Sequence, residues 1–162
     1  MKTMFARLFA FAAAVALVAT AAAKEPPRFK TKKPLVQIAV LLDTSNSMDG
    51  LIGQAKSQLW KIVNEFLRAR QDGEMPEVQV ALFEYGNNNL SAQAGYIRKV
   101  SDFTTDLDLI SEKLFALKTN GGEEYCGWVI KDALDRLEWS PSARAYKAMF
   151  IAGNEQIGRA HV

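Results

Sequence analysis

From Leu35 to Leu42 the chain is apolar nearly throughout, the pattern of a strand buried on both faces of a parallel sheet. Then Leu51, Ile52, Ala55, Leu59, Ile62, Val63, Phe66 and Leu67 recur at spacings of three and four, with Lys56, Lys61, Asn64 and Arg68 between them. This predicts an amphipathic helix of several turns. After a turn at Gln71-Asp72-Gly73, Val78, Val80, Leu82 and Phe83 read as a second strand that ends at Tyr85-Gly86. Asn87, Asn88, Asn89 and Ser91 form a polar turn, and Tyr96 to Val100 reads as a third strand, an antiparallel edge partner of the second. Thr104 to Leu117 places Leu107, Ile110, Leu114 and Leu117 on one helical face, and Thr119-Asn120-Gly121-Gly122 breaks it. A further helix is expected from about Glu124 to Trp139, with Val129, Ile130, Ala133, Leu134 and Leu137 inward, followed by a last strand at Ala148 to Ala152. Strand and helix alternate. The expected fold class is therefore a doubly wound, mostly parallel α/β sheet with helices on both faces, incomplete at its C-terminal end.

The two ends read differently. Lys2 and Arg7 precede an apolar run, Leu8 to Val18, and Ala21-Ala22-Ala23 supplies a small-residue cleavage pattern. The run falls short of the roughly 20 apolar residues of a spanning helix, so residues 1–23 read as a signal peptide cut after Ala23. The expected destination is the periplasm or the extracellular space of a bacterium, with no stable membrane span after cleavage. Residues 24–34 carry Pro26, Pro27 and Pro34 among Lys24, Arg28, Lys30, Lys32 and Lys33, a basic, proline-interrupted linker. Residues 157–162, IGRAHV, resemble one reading frame of a common sequencing-library adapter. They are expected to be an artefact, and His161, the single histidine, then belongs to no natural site.

The remaining residues, 35–156, fit one domain, since the chain is 162 residues long and 49% apolar. Its formal net charge of +2 changes once the ends are removed. Without Lys2, Arg7 and Arg159, Lys+Arg falls from 20 to 17 against 18 acidic residues, a net charge of −1. An acidic folded part argues against a nucleic-acid partner.

Candidate chemistry gathers where the first strand ends. Asp43, Ser45 and Ser47, in the run DTSNS, put three hard oxygen ligands on one tight loop. Mg²⁺ takes oxygen ligands and keeps several waters, so it is commonly held by a few protein groups and an acidic group from a partner. Mn²⁺ and Ca²⁺ suit the same donors. The D-x-S-x-S pattern resembles the metal-ion-dependent adhesion site of von Willebrand factor A domains. The resemblance covers residues 35 to about 156, roughly the first two-thirds of such a domain, and includes the order of elements as well as the motif. It implies that Ser45 and Ser47 bind the ion through their hydroxyls, with Asp43 contributing directly or through a water. It further implies a protein or peptide partner that supplies an acidic group.

Two positions depart from the family pattern. The second ligand loop usually carries a threonine just after paired glycines, whereas Gly121-Gly122 is followed here by Glu123-Glu124. Glu123 is the candidate replacement and Thr119 its rival. The alternative is that both glutamates merely favour the positive end of the following helix. The third loop should carry an aspartate after its strand, yet Asn154 and Glu155 stand there. Cys126, the single cysteine, either pairs outside this sequence or is a small core residue. Trp60, Trp128 and Trp139 are expected to be packing groups.

The favoured function is an exported, metal-ion-dependent binding module rather than an enzyme. The alternative takes LLDTS as an aspartic-protease loop, in which the aspartate shares a proton with a second carboxylate. That loop should lead into another β-strand and recur, whereas a long amphipathic helix is expected here and no second copy exists.

Overall fold

A computed structural model describes residues 33–70 and 73–154. The expected signal peptide, residues 24–32 of the linker, Glu155 and the terminal hexapeptide lie outside the described residues.

Among the described residues, seven helices and strands follow the expected order: β1 (Leu35–Asp43), α1 (Ile52–Arg68), β2 (Glu77–Tyr85), β3 (Ile97–Thr104), α2 (Leu107–Ala116), α3 (Cys126–Arg136) and β4 (Tyr146–Ala152). The sheet order is β3-β2-β1-β4. β1 pairs in parallel with β2 and with β4, while β2 and β3 are antiparallel. The continuous apolar run of β1 is thereby explained: it is a central strand with a strand on each side and helices on both faces. Val36, Ile38, Val40 and Leu42 face one layer, which holds Leu59 and Val63 of α1 and Ile110 and Leu114 of α2. Ala39 and Leu41 face the other, with Ala81, Phe83 and Tyr85 of β2 and Cys126, Val129 and Ala133 of α3. Among the described residues no helix is long and apolar enough to cross a membrane.

Four local expectations are corrected. α2 begins at Leu107 rather than Thr104 because β3 runs on to Thr104 and the Asp106 carboxylate caps the helix, accepting from the Leu109 amide at 3.0 Å. α3 is shorter than the expected Glu124 to Trp139. Leu137 is already extended beyond it, and the Trp139 indole turns back to donate to the Ala133 carbonyl at 2.9 Å. Cys126 joins Val129, Ala133 and Leu137 in the buried stripe of this helix region, so the stripe is rotated and Leu134 is left 54% exposed. Lys56 is buried rather than solvated, and its ammonium donates to the Phe115 and Leu117 carbonyls at the end of α2.

Lys56 thus caps a helix other than its own, its aliphatic stem crossing apolar surface to bring charge to orphan carbonyls. Burial lowers its pKa, and the nearby Glu84 carboxylate opposes that shift. Lys56→Met keeps the stem but strands both carbonyls. It is expected to cost about 1–3 kcal/mol, read as a lower urea midpoint with an unchanged m-value; an unchanged midpoint would show that the carbonyls find other partners.

Candidate metal centre

The parallel register brings three loops together at one end of the sheet. Asp43 lies opposite Tyr85, and Leu42 lies opposite Ala152. The chain beyond β1, β2 and β4 therefore emerges side by side, the usual place for a ligand in an open α/β sheet. The loop after β1 tightens at once into a 3₁₀ turn, Asn46–Met48.

Within that loop the Asp43 Oδ1 atom accepts from the Ser45 amide at 2.8 Å, a local bond of the kind that favours aspartate in turns. The Ser45 and Ser47 hydroxyls lie 2.7 Å apart. Ser47 Oγ is also 2.9 Å from Asn154 Oδ1 and 3.2 Å from Glu124 Oε1. The Asn154 side-chain amide donates to the Ser47 carbonyl at 3.1 Å, which turns its Oδ1 atom toward the hydroxyl. A serine hydroxyl has one proton to donate. Two serines therefore face more acceptor oxygens than they can satisfy, an arrangement that suits a cation.

Asp43 supplies the second sign of a cation site. The residue is fully buried, and its Oδ2 atom has no hydrogen-bond partner. Burial raises its pKa, the charge of Glu124 adds to the rise, and hydrogen bonds from Ser45 oppose it. An ionised carboxylate without a counter-charge is costly in such a place, so this donor set fits a hard divalent ion. The set is small, because among the described residues no three His, Cys, Asp or Glu side chains gather around one point. Two carboxylates, two hydroxyls and one amide oxygen make up the cluster.

The surrounding loops are tied by backbone and amide bonds. Thr44 donates through its amide and its hydroxyl to the Tyr85 carbonyl, and accepts from the Asn120 amide. Asn46 Oδ1 accepts from the Gly121 amide at 2.6 Å. Gly122, at φ +128°, lies so close to Gly86 that an added Cβ would sit 1.9 Å from the Gly86 carbonyl oxygen. Gly86 is itself at φ +77°, and a Cβ there would be 2.9 Å from Asp43 Oδ1. Only glycine suits such backbone angles at so close an approach.

Of the expected ligands, the structure brings together Asp43, Ser45, Ser47 and Asn154. Glu123 is directed to the Tyr125 hydroxyl and Thr119 to Asp49. Glu124, which sequence reasoning did not choose, is the glutamate beside Ser47. Glu123 is engaged by the Tyr125 hydroxyl, two residues on, which leaves Glu124 as the carboxylate at the loop cluster.

Cys126 is buried in the core, beside the Tyr85 hydroxyl, and burial raises the pKa of its thiol. Trp60 and Trp139 pack against the two core layers, whereas Trp128 is 47% exposed and stacks on Tyr125. The aspartic-protease geometry is absent from this loop, since Asp43 leads into the 3₁₀ turn and α1 rather than a strand.

No family model and no curated protein matches the sequence. Solved structures do. The vWF domain of the type V pili tip protein Mfa5 from Porphyromonas gingivalis matches with a TM-score of 0.51 at 20% identity, over 73% of this chain and 37% of that one. The SpRpn10 VWA domain matches with a TM-score of 0.54 at 16% identity, over 76% and 62%. The pilus adhesin SpaC from Lactobacillus rhamnosus GG, in its open conformation, gives 0.54 at 18% identity, over 75% and 15%. The chain spans less than two thirds of each of these proteins, and the likeness is one of fold. With β1 at the centre of the sheet and DTSNS at its carboxyl end, this chain has the fold of a von Willebrand factor A domain.

Proposed function

We propose that the chain is an exported binding module that holds a divalent cation on Asp43, Ser45, Ser47, Glu124 and Asn154, and uses it to recognise an acidic group on a protein partner. The observation that carries this reading is the buried, unpartnered Oδ2 atom of Asp43, in a loop whose serine hydroxyls meet an excess of oxygen acceptors. All five donors are oxygens, which favours Mg²⁺, Mn²⁺ or Ca²⁺ over metals that prefer nitrogen or sulfur. The bound ion supplies an electrophilic centre for a partner's carboxylate. The protein's share is to fix the two hydroxyls through Asn154 and to set the charge of the site. Glu124 in place of a neutral ligand makes the site more negative, which raises cation affinity and weakens the pull on an acidic partner.

The pili tip protein and the pilus adhesin among the fold neighbours support an adhesive, exported role, as does the leader pattern of residues 1–23. Intact mass of the mature protein is expected to begin at Lys24; retention of Met1 in a membrane fraction would refute export by cleavage.

Calorimetric titration of the full chain with Mg²⁺ and Mn²⁺ tests the ligand set. Glu124→Ala is expected to weaken binding by about tenfold, as loss of a charged ligand does, while Glu123→Ala changes it by no more than about twofold. The reverse order would return the role to Glu123, and no binding by the unaltered chain would dismiss the metal-dependent reading.

A further inference from the structure

We propose that a cleft beside the metal-site loops is a second anchor for the same partner and receives an acidic peptide segment. The proposal rests on the reading of an acidic protein partner, but not on the metal.

The cleft has a volume of about 570 Å³, and Arg98 and Lys99 of β3, Lys113 of α2 and Lys118 of the following loop line it. Glu84 is the single carboxylate of its lining. That carboxylate is 4% exposed and held by Arg98 at 2.9 Å, so its charge is spent inside the wall. Lys99 lines the cleft without charging it, since its ammonium pairs with Asp102 and donates to the Arg136 carbonyl of α3 at 3.4 Å. Lys113 donates to the Val100 carbonyl at 3.1 Å, and Lys118 has no ion pair among the described residues. Lys56, from α1, brings a further positive charge near Glu84. Cations thus exceed carboxylates here, although the chain without its leader and tail is slightly acidic. Positive charge gathered in a cleft with low-dielectric walls concentrates its field on an anion.

Asn87 joins this cleft to the metal centre. It lines the cleft, and its amide donates to the Lys118 carbonyl at 2.9 Å and to the Thr44 hydroxyl at 3.4 Å, one residue from Asp43. The cleft and the loop after β1 therefore share a wall residue and lie side by side. The rest of the lining favours peptide over nucleic acid. Leu90, Val100 and Leu117 offer aliphatic surface and Asn89 an amide, whereas single-stranded nucleic acid is held on stacking aromatic rings. The exposed ring of Trp128 belongs to α3, on the opposite face of the sheet.

Fluorescence polarisation with labelled hexaglutamate on the full chain, in EDTA and again in Mg²⁺, tests the proposal. In EDTA the variant Lys113→Glu/Lys118→Glu is expected to bind at least about tenfold more weakly than the unaltered chain. Lys61→Glu/Lys131→Glu, with the same change in net charge on exposed positions of α1 and α3, is expected to lose about twofold or less. Lys118→Glu alone, at a position with no side-chain bond among the described residues, gives an intermediate loss and separates binding from folding. Equal losses in the two double variants would overturn the cleft. So would stronger competition by an oligonucleotide than by unlabelled hexaglutamate of equal charge. A gain in affinity on adding Mg²⁺ reports the metal separately: if it is missing while the cleft variants still lose binding, the metal reading fails and the cleft stands.

Discussion

Asp43→Asn is expected to abolish Mg²⁺ binding while making the metal-free protein more stable. The two effects have one cause. Asparagine retains the oxygen that accepts from the Ser45 amide and removes a buried negative charge whose Oδ2 atom has no hydrogen-bond partner. Loss of the charged ligand should weaken Mg²⁺ by a hundredfold or more, about 2.7 kcal/mol, and the neutral side chain should add about 1–3 kcal/mol to metal-free stability. The dependence on pH follows from the raised pKa of Asp43. A carboxyl that titrates higher in the folded than in the unfolded chain stabilises the fold below the ordinary carboxylate range. That contribution is lost as pH rises through the folded pKa. Denaturation midpoints of unaltered chain and variant should therefore converge on acidification and separate toward neutrality, with Mg²⁺ restoring the unaltered chain alone. Destabilisation by Asp43→Asn in EDTA would make Asp43 a structural turn residue, and equal Mg²⁺ binding by both proteins would end the metal reading.

Gly122→Ala is expected to cost about 2–4 kcal/mol and to lower Mg²⁺ affinity to the level of Glu124→Ala. Its Cβ would stand 1.9 Å from the Gly86 carbonyl oxygen and 2.5 Å from the carbonyl carbon, so the segment must retreat and carry Glu124 away from Ser47. Asp43 and the serines remain, which limits the loss of affinity. Gly50→Ala is the control, because Gly50 is also left-handed, at φ +79°, but an added Cβ meets nothing within 4 Å. It should cost only the conformational strain, about 1 kcal/mol. Should the two variants melt alike, the contact of Gly122 with Gly86 does not hold the loop.

What the sequence made legible and what it hid divide along physical lines. β1, α1 and the β2/β3 hairpin were readable because burial on one or both faces writes itself into the spacing of apolar residues. So was the meeting of Asp43, Ser45, Ser47 and Asn154, since loops that leave neighbouring strand ends must lie together. Lys56 was hidden because its chemistry belongs to the far end of another helix, which a pattern along α1 does not contain. Leu134 was misread for a related reason: the spacing of α3 offers overlapping apolar stripes, and the choice falls to the position of β2. Glu124 was obscured by taking the family's residue spacing as a guide, because the bond that draws Glu123 to the Tyr125 hydroxyl is not written in that spacing.

The Ser47–Asn154 contact spans 107 residues of chain, and this gives the site a place in the order of folding. β1 emerges first, can collect β2 across 42 residues of register, and must wait for β4, about 110 residues farther on, to fill its other edge. Such non-local parallel pairing is slow to form. Asn154 lies two residues beyond β4, so the oxygen cluster closes only after β4 has docked, and a chain caught short of that step presents Ser45 and Ser47 without their partner. A cation that prefers the closed cluster would therefore act on folding as a latch, drawing β4 into place by mass action.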